Sequence, residues 1–205
     1  MTPLIYLKHR SDDDWLVGYD SQEFLALVQQ VLQTLERRSP APAPPTILLA
    51  ERHPISFLAY FIAAWIANCP IVLANPDWGE IEWQQVFELV NPDLVWGEAG
   101  KDAEKKAQGR IQQAEAWGSK DQQQGAENSQ WKPQNSKLKI SSLSLPPIPS
   151  PIPPILIPTG GTSGKIRFAI HTWETLMASI EGFRQYFGVN QVNSFCVLPL
   201  HHVSG

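Results

Sequence analysis

Cysteine is almost missing from this sequence. Cys69 and Cys196 are the two in 205 residues. They lie far apart, each inside an apolar run, and neither has a partner at metal-ligand spacing. That argues against a disulfide framework and a zinc site, and two buried free thiols are the expectation. Long hydrophobic runs are missing as well. The longest, Ile55–Ala67, covers 13 residues, whereas a membrane-spanning helix needs about 20. Met1–Arg10 lacks the basic start and apolar centre of a signal peptide. A soluble, cytoplasmic chain without a membrane span is expected. An excess of positive charge is also absent. The chain carries 16 Lys and Arg against 20 Asp and Glu, a net charge of −4, so nucleic acid is not an expected partner.

What is present is apolar material, at 43% of residues, enough for a packed core. Proline is abundant, at 18 residues, well above its usual share of about 5%. Its clusters, Ser39–Pro45 and Pro146–Pro154, read as stiff extended connectors.

Between and beyond them the pattern alternates. Phe24, Leu25, Leu27, Val28, Val31, Leu32 and Leu35 share one helical face, with Asp20 and Glu23 spaced as a capping box. Thr46–Ala50, Pro70–Ala74 and Asp93–Trp96 are short apolar strands. The helix opening at Pro54 is apolar on nearly every side, so deep burial is expected. A second helix occupies Gly79–Val90. Continuous apolar strands alternating with helices predict an α/β fold with largely parallel, layered sheets flanked by helices.

From Glu98 to Ile140 the pattern gives way to Gln, Lys, Glu, Ser and Gly. Such a segment buries too little surface to offset its ordering entropy. It reads as a disordered insertion with a weak helix near Ala103–Ala116, and a partner-binding arm is the functional alternative. Trp117 and Trp131, within it, have no apolar context; the other tryptophans read as packing. Order resumes with strands at Ile155–Ile157, Ile166–His171 and Ser194–Leu198. A helix capped by Thr172 and ended by Gly188 presents Leu176, Ile180, Phe183 and Phe187. The expected organisation is therefore an α/β part over 1–97, an insertion and Pro-rich linker over 98–153, and a further part of the same domain over 154–205.

The segment that carries chemistry is Thr159-Gly160-Gly161-Thr162-Ser163-Gly164-Lys165-Ile166-Arg167. Glycines let the backbone approach a ligand, and successive N–H groups can converge on an anion. The hydroxyls of Thr159, Thr162 and Ser163 donate to phosphate oxygens, and Lys165 and Arg167 offset negative charge. It is not a P-loop of the Walker type, because Thr159 stands where that pattern needs Gly and Ile166 where it needs Ser or Thr. Nor is it a dinucleotide fingerprint, since an extended run follows it and not a helix. Taken alone, a polyphosphate cradle and a plain tight turn of small residues are equally good readings.

The run TGGTSGKIRFAIHT resembles the phosphate-loop motif of the adenylate-forming enzymes: acyl-CoA ligases, peptide-synthetase adenylation domains and luciferases. LPLHHVSG, about thirty residues on, resembles that superfamily's LPLFHxxG signature, and SFLAYFIAAWIANCPIVLANPDW resembles its first helix–strand unit. Within the superfamily, the AIHT run, the following MASIEGF and LPLHHVSG are most similar to o-succinylbenzoate–CoA ligases of menaquinone and phylloquinone synthesis. Two departures stand out. Ile166-Arg167-Phe168 replaces the family's Pro-Lys-Gly, turning a point charge into a planar fork, and His201 replaces an apolar or aromatic residue.

The resemblance implies a two-step reaction. A carboxylate attacks the α-phosphorus of ATP, giving an acyl-adenylate and pyrophosphate, and the thiol of coenzyme A then displaces AMP. ATP, Mg2+ and coenzyme A are the implied cofactors and co-substrates, and a small carboxylate is the substrate. No protein metal ligands are implied. Thr159, Gly160, Gly161, Thr162, Ser163, Gly164 and Lys165 would hold the leaving phosphates, with Arg167 a weaker contributor. His202 would orient the carboxylate or gate the thiol channel, with Ser204 and Gly205 on the same wall. On residue type alone His201-His202 is a strand end with one ring packed and one solvated, and His53 and His171 are polar ends of elements. The family's adenine contacts, ribose-binding acid, hinge and catalytic lysine follow these motifs. The 205 residues are therefore expected to be the first part of a longer enzyme, unable alone to complete the cycle. Another adenylate-forming ligase, for a fatty or aryl acid, and a non-catalytic remnant remain the alternatives.

Overall fold

The computed structural model describes residues 3–13, 15–38, 43–106, 108, 153–159, 165–190 and 196–202. Five strands form one sheet in the order β3-β1-β2-β4-β5: β1 Ile47–Leu49, β2 Ile71–Leu73, β3 Leu94–Trp96, β4 Ile155–Thr159 and β5 Arg167–His171. The first four run parallel, and β5 returns antiparallel beside β4. Ile47, Leu48 and Leu49 are fully buried, as are Ile71, Val72 and Ile155. Both faces of these strands are covered, which explains why they read as unbroken apolar runs. The α/β class expected from the alternation is the one observed.

Side chains alternate between two cores. Ile47, Leu49, Ile71, Leu73, Ile155 and Ile157 pack with Phe57 and Ala64 on one face. Leu48, Ala50, Val72, Ala74 and Leu156 pack with Trp83 and Val86 on the other. Helix α3 (Pro54–Ile66) thus lies on the first face and α4 (Glu80–Val90) on the second. Helix α2 (Ser21–Glu36) packs mainly on α3, and only Leu35 near its end borders the first core. Its Phe24, Val28 and Val31 pack on Ala59 and Ala63, the outer side of α3. Sandwiched between helix and sheet, α3 needs no polar face, which is why its sequence has none.

Local sequence sets the ends. The Asp20 carboxylate accepts from the Gln22 and Glu23 amides, at 2.8 and 2.9 Å, the N-capping half of the expected box. His53 caps α3, and Pro54 fills its first turn. Helix α6 (Trp173–Phe187) has a full capping box between Thr172 and Thr175 and ends on Gly188 at φ 64°. Helix α1 (Pro3–His9), unremarked in the sequence, seats Leu7 beside Phe24.

Several expectations are corrected. A helix, α5, occupies residues 98–106, beginning five residues before the segment expected to be helical. Its Gly100 is buried and Ala103 packs on the second core, so small residues let it dock. The remainder of the expected insertion, with Trp117 and Trp131, lies outside the described residues. Strand β5 is half-covered, not buried, because it is the sheet edge. Cys196–Leu198 is not a strand, and Val197 is 86% exposed. No strand pairs with it among the described residues. Cys196 is accordingly exposed, whereas Cys69 is buried as expected. Of the apolar face of α6, only Leu176 packs at the edge of the first core, half-buried, and Ile180, Phe183 and Phe187 are exposed.

Candidate active site

Parallel strands deliver their carboxyl ends to one side of a sheet, where the following loops are free to carry function. Here Thr159 ends β4 at that side and Arg167 begins β5 opposite it, paired in register. The Thr159 hydroxyl donates to the Arg167 carbonyl at 3.3 Å. The Gly-rich segment is therefore the connection of a β-hairpin. Gly160, Gly161, Thr162, Ser163 and Gly164 lie outside the described residues. Their flanks are informative: Thr159, Lys165 and Arg167 are all exposed, so two cations and a hydroxyl stand in solvent where the hairpin turns.

The returning limb is held from below. The Ile166 amide donates to Gln85 Oε1 of α4 at 3.0 Å, and Ile166 and Phe168 pack on the second core. Alternation then leaves Lys165 and Arg167 on the open side. This explains why Ile can replace the family's Pro: its amide is used and its side chain is seated.

The second motif comes to the same end of the sheet. Leu200 packs on the first core, and the His202 amide donates to the Pro199 carbonyl at 2.9 Å, closing a turn. The His201 imidazole is half-buried and its basicity is lowered, first by burial and then by the adjacent His202 charge, with Asp77 acting in the opposite direction. Asp77 follows β2 and forms an ion pair with Arg52, which follows β1, at 2.7 Å. Arg52 also donates to the Pro76 carbonyl at 2.9 Å. His202 is exposed; Ser204 and Gly205 lie outside the described residues. One histidine is half-buried and the other exposed, as expected from residue type, but the pair sits in a turn and not at a strand end. His53 and His171 are, as expected, the N-cap of α3 and the last residue of β5.

Sequence reasoning missed Arg52, Asp77 and Gln85. The first two had a signal, since polar residues directly after apolar parallel strands mark the ligand side of the sheet. Gln85 had none, being one polar residue among several on a helix. Among the described residues no group of three His, Cys, Asp or Glu could hold a metal ion, and no helix is long and apolar enough to cross a membrane.

The sequence profile of AMP-binding enzymes matches residues 21–205. The chain belongs to that family. No curated protein gives a sequence match. Among solved structures, the O-succinylbenzoate coenzyme A synthetase MenE from Bacillus subtilis, in complex with AMP, superposes with a TM-score of 0.59 at 12% identity, covering 98% of this chain and 50% of that one. VinN with 3-methylaspartate gives 0.57 at 15% identity, over 92% of this chain and 52% of that one. The luciferase-like enzyme of the Zophobas morio mealworm gives 0.53 at 13%, over 88% and 44%. At these identities the likeness is one of fold. The chain spans about half the length of these structures.

Proposed function

We propose that this chain carries the pyrophosphate-gripping part of an ATP-dependent acid–CoA ligase, with o-succinylbenzoate as the acid and its CoA thioester as the product. The observation that carries the proposal is the exposed hairpin flanked by Thr159, Lys165 and Arg167, at the carboxyl end of β4 in a member of the AMP-binding family. An anion must attack a polyanion in the first step, so repulsion has to be screened before the bond to the α-phosphorus forms. Lys165 and Arg167 supply two positive charges beside the turn, and Gln85 and the strand register fix where those charges stand. Magnesium, when bound to ATP, neutralises phosphate charge while taking most of its ligands from phosphate and water. Gly160–Gly164 would donate backbone N–H groups to the departing pyrophosphate, and His202, Ser204 and Gly205 would line the acyl side. The choice of o-succinylbenzoate rests on the AIHT, MASIEGF and LPLHHVSG runs.

Carboxylate-dependent release of pyrophosphate from ATP, by the enzyme that contains this chain, tests the assignment. Lys165→Ala and Thr162→Ala are each expected to slow it by about 10²–10³, the usual effect of removing one preorganised donor, with little change in thermal stability. Unchanged adenylation in both variants would remove the phosphate-loop assignment. Thioester formation from o-succinylbenzoate, set against benzoate and medium-chain fatty acids, decides the substrate. Preference for either alternative moves the enzyme to another acid.

A further inference from the structure

Strand pairing secures the hairpin only as far as its mouth. The β4–β5 ladder ends at the Thr159–Arg167 pair, and β5 is the outermost strand of the sheet. Ile166 lies one residue beyond that ladder, on the limb returning from the Gly-rich segment. Its amide goes to a helix and not to a strand: Gln85 Oε1 of α4 accepts from it at 3.0 Å, at a part-buried position and across 81 residues of sequence. The preceding residue behaves differently. Gln84 is exposed and spends its amide inside the helix, on Glu88 at 2.9 Å. Helix α4 is a firm base for such a reach. Its Trp83 and Val86 are buried, and the Trp83 ring meets those of Trp78 and Phe87 at 5.6 and 5.7 Å.

The bond answers a need that the sequence creates. A proline on such a limb holds φ at about −65° through its ring and has no N–H to satisfy. Ile166 stands where the family's motif has that proline. It frees the backbone torsion and adds a half-buried N–H that needs an acceptor. Gln85 supplies the acceptor and, with it, the restraint. Ile166 and Phe168 are seated on the second core, so fixing the backbone at Ile166 fixes where the outward residues on either side of it stand. Those residues are Lys165 and Arg167, both exposed. Charge stabilisation of a leaving group is sensitive to placement, and an error of about 1 Å can cost about 10²-fold. We infer that Gln85 is a positioning residue for the first step of the proposed reaction: through the Ile166 amide it holds Lys165 and Arg167 in place, doing what a proline ring would otherwise do. It has no part in the thioester step, because pyrophosphate has left before coenzyme A attacks. The inference rests on the reading of the hairpin as the pyrophosphate grip.

The test assays the enzyme that contains this chain in two half-reactions. One is carboxylate-dependent pyrophosphate release from ATP. The other is thioester formation from coenzyme A and the acyl-adenylate of the same acid, supplied directly. Gln85→Met is expected to lower kcat of the first about tenfold, with KM for the carboxylate unchanged, and to leave the second within about twofold of the parent. Retention of the second half-reaction also shows that the variant is folded. Ile166→Pro removes the donor and supplies the ring, so in that background Gln85→Met is expected to cost nothing further. An equal loss in both backgrounds, or loss of both half-reactions, would make Gln85 a merely structural residue and overturn the inference. Lys165→Ala separates the inference from the reading beneath it. If that variant slows pyrophosphate release and Gln85→Met does not, the inference falls and the phosphate-loop assignment stands. If Lys165→Ala leaves release unchanged, both fall.

Discussion

Gly97 shows how much one residue can decide. It adopts φ 91°, a conformation L side chains rarely take, and a Cβ there would collide with the Ala50 carbonyl of the neighbouring strand end. Only the absence of a side chain lets β3 turn into α5 against β1. Gly97→Ala is expected to destabilise the chain by about 3 kcal/mol or more, combining backbone strain with a steric clash, read as a lowered midpoint in urea unfolding. His201 carries a pH dependence. Its folded-state pKa lies below the ordinary histidine value, mainly through burial. The unfolded chain therefore takes up the proton first on acidification, and stability present above about pH 6.5 is lost as the pH falls through the folded value. Thermal melts between pH 7.5 and 5 should show that loss, and His201→Leu should flatten it.

At the scale of elements, the strands and helices from α2 to β3 were legible because two local signals agreed, whereas α1 went unread. Apolar runs such as Ile47–Leu49 and Ile71–Leu73 are bounded by turn residues, and α2 carries both its period and its Asp20 cap. The hairpin position of the Gly-rich segment was legible from the extended run that follows it. A tight hairpin turn was one of the segment's two readings, and the antiparallel pairing of β4 with β5 agrees with it. The part of the strand expected at Ser194–Leu198 that is described does not form: Cys196, Val197 and Leu198 have β propensity, but propensity needs a neighbouring strand, and among the described residues none reaches them. The candidate site was half legible. Thr159, Lys165, Arg167 and His202 were named from motifs, whereas Arg52, Asp77 and Gln85 act through contacts between residues distant in sequence.

For the molecule as a whole, α6 is the least settled element. It has caps at both ends and a stacked Trp173–Trp65 contact at 4.0 Å. Yet Ile180, Phe183 and Phe187 lie on one exposed stripe, 51%, 48% and 58% accessible. Contiguous apolar surface of this kind drives association. The 205-residue chain is expected to bind 8-anilinonaphthalene-1-sulfonate and to self-associate as its concentration rises, and Ile180→Glu with Phe183→Lys should abolish both, as measured by sedimentation velocity. The sheet order has a different consequence. Strands β3 and β4 are three places apart, roughly 14 Å at the usual spacing between strands, yet 58 residues of sequence separate Trp96 from Ile155. A tether far longer than its span is under little selection for length. Excising residues 112–145 should leave the melting temperature within a few degrees of the parent, since halving a loop recovers only about 0.6 kcal/mol. This stretch is where relatives can gain or shed sequence, or accept a grafted peptide, without disturbing the sheet.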